Sequence, residues 1–127
     1  MSKVFISFAE PDREWAKGLA RDLVANGNSV VFDQDAPVAT NWAEWIKRSL
    51  ADSSKIVAIL SYSSAQNANM HWELGVATAL GKPVIMVDTT GGAATVLANN
   101  WIRDNVTVVD GRGDLLRAVS RVREAVV

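Results

Sequence analysis

The chain contains no cysteine, which excludes a disulfide framework and any thiolate metal centre. It has a single histidine, His71, so a multi-histidine zinc site cannot be built within one copy, and no metal site is expected. It lacks an excess of positive charge. Thirteen Lys and Arg stand against fourteen Asp and Glu, a formal net charge of −1, and no direct nucleic-acid partner is expected. Long apolar runs are missing too. Ile56–Leu60 and Val84–Val87 are short beside the roughly 20 residues of a transmembrane helix, so no membrane association is expected. No secretory apolar segment precedes the strand-like pattern that begins at Lys3, and a cytoplasmic location is expected. Finally, Ala9-Glu10-Pro11-Asp12, after the first apolar stretch, has no glycine, which excludes a dinucleotide fingerprint or a Walker loop there. Gly111-Arg112-Gly113 lacks the lysine and Ser/Thr of a phosphate loop and reads as a turn.

What is present is ordinary globular material. The 127 residues are 49% hydrophobic and 21% charged, enough for one domain over residues 1–127 and incompatible with intrinsic disorder. Short apolar runs alternate with amphipathic stretches. Strands are expected at Lys3 to Phe8, Ser29 to Asp33, Lys55 to Ser61, Val84 to Asp88 and Val106 to Asp110. Between them lie helical patterns. The first carries Trp15, Leu19 and Leu23, with Asp12 as a candidate cap and Asn26-Gly27 as its stop. The second carries Trp42, Trp45, Ile46 and Leu50 behind Thr40 or Asn41, and the third runs from about Met70 to Leu80 before Gly81 and Pro83. A short turn near Thr95 to Asn100 and a last helix with Leu115, Leu116, Val119, Val122 and Val126 on one face complete the series.

Five β-α repeats imply an α/β fold, a flavodoxin-like three-layer sandwich around a five-stranded parallel sheet in the order 2-1-3-4-5. Ligands of such sheets bind beyond the carboxyl ends of the strands, where strand order reverses. That places a mouth at Phe8, Ala9 and Glu10 after the first strand and Ser61, Tyr62 and Ser63 after the third. The loop Gln34 to Thr40 and the start of the third helix border it.

Glu73 lies in Met70-His71-Trp72-Glu73-Leu74-Gly75-Val76-Ala77, where Met70, Leu74 and Ala77 can face the sheet and Gly75 can allow close packing on it. Spacing alone leaves two readings of Glu73, off the core face in either case: a glutamate favourable to the helix dipole, or a carboxylate aimed into the mouth. His71 reads as a surface or satisfied histidine, and Asp33 and Asp35 as turn and solvation residues. Trp42, Trp45, Trp72 and Trp101 read as core by default, although each could offer a face to a planar base.

These segments, in this order, resemble a bacterial Toll/interleukin-1 receptor (TIR) domain over nearly the whole chain. The pieces that carry the resemblance are Val4-Phe5-Ile6-Ser7-Phe8 with the acidic Glu10-Pro11-Asp12, Val31-Phe32-Asp33, Asn41-Trp42, Ile46 to Leu50, Ile59-Leu60-Ser61, Trp72-Glu73-Leu74 and Gly81-Lys82-Pro83-Val84-Ile85. Many relatives of this kind cleave NAD⁺ at the nicotinamide–ribose bond with a glutamate early in the helix after strand three, and Glu73 occupies that position. The resemblance thus implies catalysis by Glu73, substrate contacts from Phe8, Ala9, Trp42, Tyr62 and Trp72, and NAD⁺ as substrate with no further cofactor. It also implies assembly with other copies through the loop after strand two (Asp35, Pro37 and Val38 here), a fused or separate sensor or effector, and a role in immunity or antiphage defence. The chain departs from the pattern at Phe8, commonly tyrosine, and at Ala9 and Glu10, where some NAD-cleaving members carry basic residues. It departs also at Asn69, where some members have tryptophan, and at Ala36-Pro37-Val38-Ala39, where the family frequently has glycine.

A sparse site suits that chemistry. Nicotinamide leaves NAD⁺ as a neutral base and needs no general acid, in contrast to ordinary glycoside hydrolysis with its two carboxylates. One carboxylate can stabilise the developing positive charge on ribose, giving ADP-ribose or a cyclic isomer. Two other classes stay open: a non-catalytic adaptor, and a nucleoside deoxyribosyltransferase-like enzyme, a family with a similar glutamate at a similar mouth.

Overall fold

The computed structural model describes residues 2–64, 67–97 and 106–126. The strands are β1 (Lys3–Ser7), β2 (Ser29–Phe32), β3 (Lys55–Leu60), β4 (Val84–Asp88) and β5 (Val106–Asp110). All neighbours pair in parallel in the order β2-β1-β3-β4-β5, which is the expected topology. The helices are α1 (Arg13–Ala25), α2 (Trp42–Asp52), α3 (Ala68–Ala79), α4 (Ala93–Leu97) and α5 (Leu115–Val126). The expected turn from Thr95 to Asn100 overlaps α4, and its remainder, with Trp101, lies outside the described residues.

Side chains alternate across each strand and build two cores. Val4, Ile6, Val57, Ile59, Ile85 and Val87 meet Leu19 and Leu23 of α1 and Val119 and Val122 of α5. Phe5, Ile56, Ala58, Leu60, Val84 and Met86 meet Ile46 and Leu50 of α2 and Met70, Leu74 and Ala77 of α3. With both faces covered, β3 and β4 read as nearly unbroken apolar runs, and Ile56, Val57, Ile59 and Leu60 are fully buried. The alternation matters for the site. Phe5 faces α2 and α3, so Ser7, two residues on, faces them as well.

The helices start where side-chain caps allow. Asn41 accepts from the Glu44 amide at 3.1 Å, and Asn67 accepts from the Met70 amide at 3.1 Å, so α3 begins two residues before the expected Met70. Asp12 occupies the N-cap position of α1 but makes no cap with its side chain. Its carboxylate instead accepts from Ser61 Oγ at 2.5 Å, tying the segment after β1 to the segment after β3.

Two expectations about packing are corrected. Gly75 does not lie against the sheet: it is exposed, and a Cβ added there meets nothing within 4 Å. On α5 the buried stripe is Ala118, Val119, Val122 and Val126, while Leu116 is 78% exposed. Leu115 lies against α1 instead of the sheet, with its Cδ2 at 3.3 Å from where a Cβ on Gly18 would be. The helix starts beyond the carboxyl edge of β5, so its first turn overhangs the sheet. Close approach is instead required at Gly111, where a Cβ would stand 2.7 Å from Val87 Cγ1.

Candidate active site

The reversal of strand order between β1 and β3 opens a cavity of about 140 Å³ lined by Phe8, Asp33, Gln34, Trp42, Asn67, Asn69 and Glu73. At about 30 Å³ per liquid water, that is roughly five waters' worth of space, enough for one substituted ring. Glu73 comes from the second turn of α3, on the same stripe as Met70, Leu74 and Ala77. Met70 to Glu73 is a step of i to i+3, and Glu73 to Ala77 one of i to i+4, so helical geometry turns the carboxyl inward. It is 1% exposed, which corrects its expected place off the core face. Ser7 Oγ donates to Glu73 Oε1 at 2.6 Å and holds the carboxyl at the floor of the cavity.

Asp33 is the residue that sequence reasoning missed. It does not solvate a turn. It opens a one-turn 3-10 helix, Asp33–Asp35, directly after β2, and is 5% exposed. The turn folds its carboxyl back over the end of β1 into the cavity that Glu73 lines, where each carboxyl shifts the titration of the other. A signal was available: an acidic residue at the carboxyl end of a strand adjoining the switch point. Gln34 secures the turn by donating from Nε2 to the Phe8 carbonyl at 3.0 Å, and Arg13 donates to Gln34 Oε1 at 2.7 Å while pairing with Glu10. Arg13 also lies over the Phe8 ring, 5.6 Å from its centroid.

Of the residues the resemblance named, the structure brings Phe8, Trp42 and Glu73 together. Phe8 is wedged edge-on against Phe32 at 5.3 Å. Trp42, half-buried, stacks obliquely on Trp72 at 5.4 Å, so Trp72 supports the wall from behind. Ala9 is buried in the core beside α2 and α3, and Tyr62, 73% exposed, stands away from the lining. In the loop after β2, Val38 is 98% exposed, and Ala39 takes a left-handed φ of 66°, a conformation that glycine adopts without strain.

Burial governs the electrostatics. Loss of solvent, then the Asp33 charge, push Glu73 up to about 9 against the opposing Ser7 hydrogen bond. Burial also raises Asp33, to about 6, against the opposing influence of Glu73. Glu73 Oε2 and Asp33 Oδ1 are buried with no hydrogen-bond donor. One proton between the two carboxyls resolves this, and near neutral pH the pair carries one negative charge.

A pH dependence of stability follows. Both folded values stand above the ordinary 3.8 and 4.5, so between those values and about 9 the folded chain holds protons that the unfolded chain has released. The pair's contribution is greatest in acid and is lost as pH rises, with a slope of at most about 1.4 kcal/mol per pH unit for one proton. Glu73→Gln keeps a donor for Asp33 and does not ionise. Urea midpoints at about pH 5, 7 and 9 are expected to favour this variant increasingly over the parent chain. Parallel profiles would show that Glu73 is ionised throughout.

Two larger grooves, of about 550 Å³ beside Lys3, Trp45 and Arg48 and about 400 Å³ beside Asp88, Val108 and Arg112, are lined by none of the buried unpartnered polar atoms found among the described residues. Among those residues no group of three His, Cys, Asp or Glu could hold a metal, and no helix is long and apolar enough to cross a membrane.

Fold and cavity together define an open parallel α/β domain with an acidic cavity at its switch point. The TIR domain family model matches residues 4–114, and the chain belongs to that family. Its structure is similar to the TIR domains of the activated Roq1 resistosome, which directly recognises the pathogen effector XopQ, at a TM-score of 0.73 and 13% identity over 100% of both chains. It is also similar to the Clostridium botulinum CMP N-glycosidase BcmB, at a TM-score of 0.65 and 15% identity over 93% of this chain and 97% of that one. The 2-desoxiribosyltransferase of Leishmania mexicana follows at 0.61 and 18%, over 84% and 77%. At these identities the likenesses concern the fold. No curated protein matches the chain.

Proposed function

We propose that this TIR domain cleaves NAD⁺ at the nicotinamide–ribose bond, releasing nicotinamide and leaving ADP-ribose or a cyclic isomer, in immune signalling. The observation that carries this reading is a buried carboxyl, Glu73, fixed by Ser7 at the floor of a one-ring cavity with Phe8 and Trp42 beside it. A nicotinamide ring fits between such walls, and the ionised Glu73 faces the charge that grows on ribose as the bond breaks.

A second reading has its own observation. Glu73 holds a proton near neutrality, as a general acid for a neutral nucleobase must, and two of the structural relatives act on nucleosides or nucleotides by name. A third, the adaptor, has no turnover. Purified protein incubated separately with NAD⁺, CMP and deoxynucleosides separates all three. Free nicotinamide is the expected product. Base release from CMP or a deoxynucleoside alone supports the second reading, and inertness towards all of them supports the adaptor.

The cavity holds one ring, so the adenosine half of NAD⁺ would lie outside it, whereas good sites bury about 70–90% of a ligand of that size. We propose that a second copy supplies the missing wall through the loop Asp35, Pro37 and Val38, whose Val38 presents an almost fully exposed apolar side chain. Contact between this loop and a different surface of the next copy is head-to-tail and gives filaments. Specific activity is expected to rise with protein concentration, and Val38→Asp is expected to abolish the rise. Dilute monomer as active per molecule as concentrated protein would show that one chain suffices. Trp42, which adjoins the loop, is unsuitable for this test because it lines the cavity.

A further inference from the structure

We infer that Asp33 and Glu73 work as a proton-sharing pair whose ligand is a cation: a pyridinium ring entering beside Phe8 and Trp42 sends the shared proton to solvent and is held by two ionised carboxylates. This rests on the proposed reading for the identity of the ring, and it assigns Asp33 a part in selecting the substrate's charge.

The geometry is specific. Asp33 and Glu73 are 5% and 1% exposed, line the same cavity, and each keeps one buried oxygen with no hydrogen-bond donor. Every neighbouring element has been spent elsewhere or carries no charge to offer. β1 gives Ser7, whose hydroxyl already serves Glu73 Oε1, and Phe8. The segment of α2 gives Trp42, and that of α3 gives Asn67 and Asn69, none of which titrates in this range. Arg13, from α1, feels the charges of Asp33 and Asp35, and it is paired with Glu10. The pair therefore meets an entering ring with two acceptors and one proton.

The exchange balances without any covalent step. The pair, one carboxylic acid and one carboxylate, takes up a ring of charge +1 and releases H⁺, leaving two carboxylates and the cation. A neutral ring gives no reason for the proton to leave, because two bare carboxylates in one desolvated cavity repel each other. The site thereby distinguishes oxidised from reduced nicotinamide, and a pyridinium nucleotide from a pyrimidine one, by charge and not by shape.

Isothermal titration calorimetry of the full chain tests this with non-hydrolysable carbocyclic NAD⁺ and its dihydro form, in buffers of different ionisation enthalpy. Near neutral pH the oxidised analogue is expected to release about one proton and to bind up to about tenfold tighter per unit rise in pH, and the dihydro analogue to release none. Glu73→Gln leaves Asp33 as the only carboxyl of the pair, largely ionised near neutral pH, and proton release is expected to vanish. Should that variant not fold, Asp33→Asn removes the neighbouring charge, and the pH range of proton release is expected to move down. Proton release that persists in folded Glu73→Gln, a range that Asp33→Asn leaves unmoved, or equal pH profiles for the two analogues, overturns the proposal. NAD⁺ cleavage together with binding of the oxidised analogue that releases no proton overturns the pair and leaves the glycohydrolase reading standing. Proton-linked binding without cleavage supports the pair and overturns that reading, and binding of neither analogue overturns both.

Discussion

Glu73→Gln is expected to reduce nicotinamide release by at least about 100-fold, close to 3 kcal/mol of transition-state stabilisation, while the chain stays folded. The substitution is unusually clean here. Glutamine copies the protonated form of Glu73 in shape and can donate to Asp33, so the resting site is nearly unchanged. What it cannot do is ionise. A loss of this size therefore reports the carboxylate that forms when substrate is bound, and not a hydrogen bond already present in the empty cavity. The measurement is nicotinamide release under single-turnover conditions, with circular dichroism and urea unfolding confirming the fold. Turnover within a few-fold of the parent would remove Glu73 from the chemistry, and Asp33 would then be the remaining carboxyl in the cavity.

Ile59→Asp is expected to unfold the domain. Ile59 is fully buried in β3, between β1 and β4, and packs in the core shared with α1 and α5. The residues it packs among there are apolar, so a carboxylate at this position finds no partner. An unpaired buried charge costs several kcal/mol against a total stability of about 5–15. Far-ultraviolet circular dichroism and chemical denaturation at neutral pH give the readout. A cooperative unfolding transition of near-parental midpoint would mean that the sheet's interior tolerates water, contrary to the packing described.

The fold was legible because a doubly covered parallel sheet writes itself as apolar runs at fixed spacing. KIVAIL and VIMVD could hardly be anything else, and their alternation with helical stripes leaves few topologies. The site was legible where a side chain's direction follows from regular geometry. Phe8 continues a strand; the direction of Glu73 was read as off the core face, although its spacing of three from Met70 and four from Ala77 turns it inward, and its place in the site came from the family resemblance. Asp33 was not legible because its direction is set by a single 3-10 turn after β2, whose sense depends on Gln34 reaching the Phe8 carbonyl 26 residues away in the chain. Gly75 and Leu116 misled for a related reason. Composition suggests packing for a helical glycine and for a leucine, but what each touches depends on where its helix stands over the sheet.

The position of β1 bears on how the molecule comes together. Although it precedes the other strands along the chain, it lies inside the sheet, between β2 and β3. Its last residue, Ser7, holds a carboxyl that follows 66 residues later. Parallel pairings cannot be closed by tight hairpins, so each must await an entire crossover, and the entropy lost in closing those loops comes before the contacts that compensate it. During synthesis β1 emerges with both apolar faces uncovered, and its edge towards β3 stays unpaired until α1, β2 and α2 have followed. The cavity draws on β1, the turn after β2, α2 and α3, so it cannot form before α3 docks. Ligand binding in a refolding experiment would keep time with that docking, and a chain caught before it would have a nascent sheet but no site.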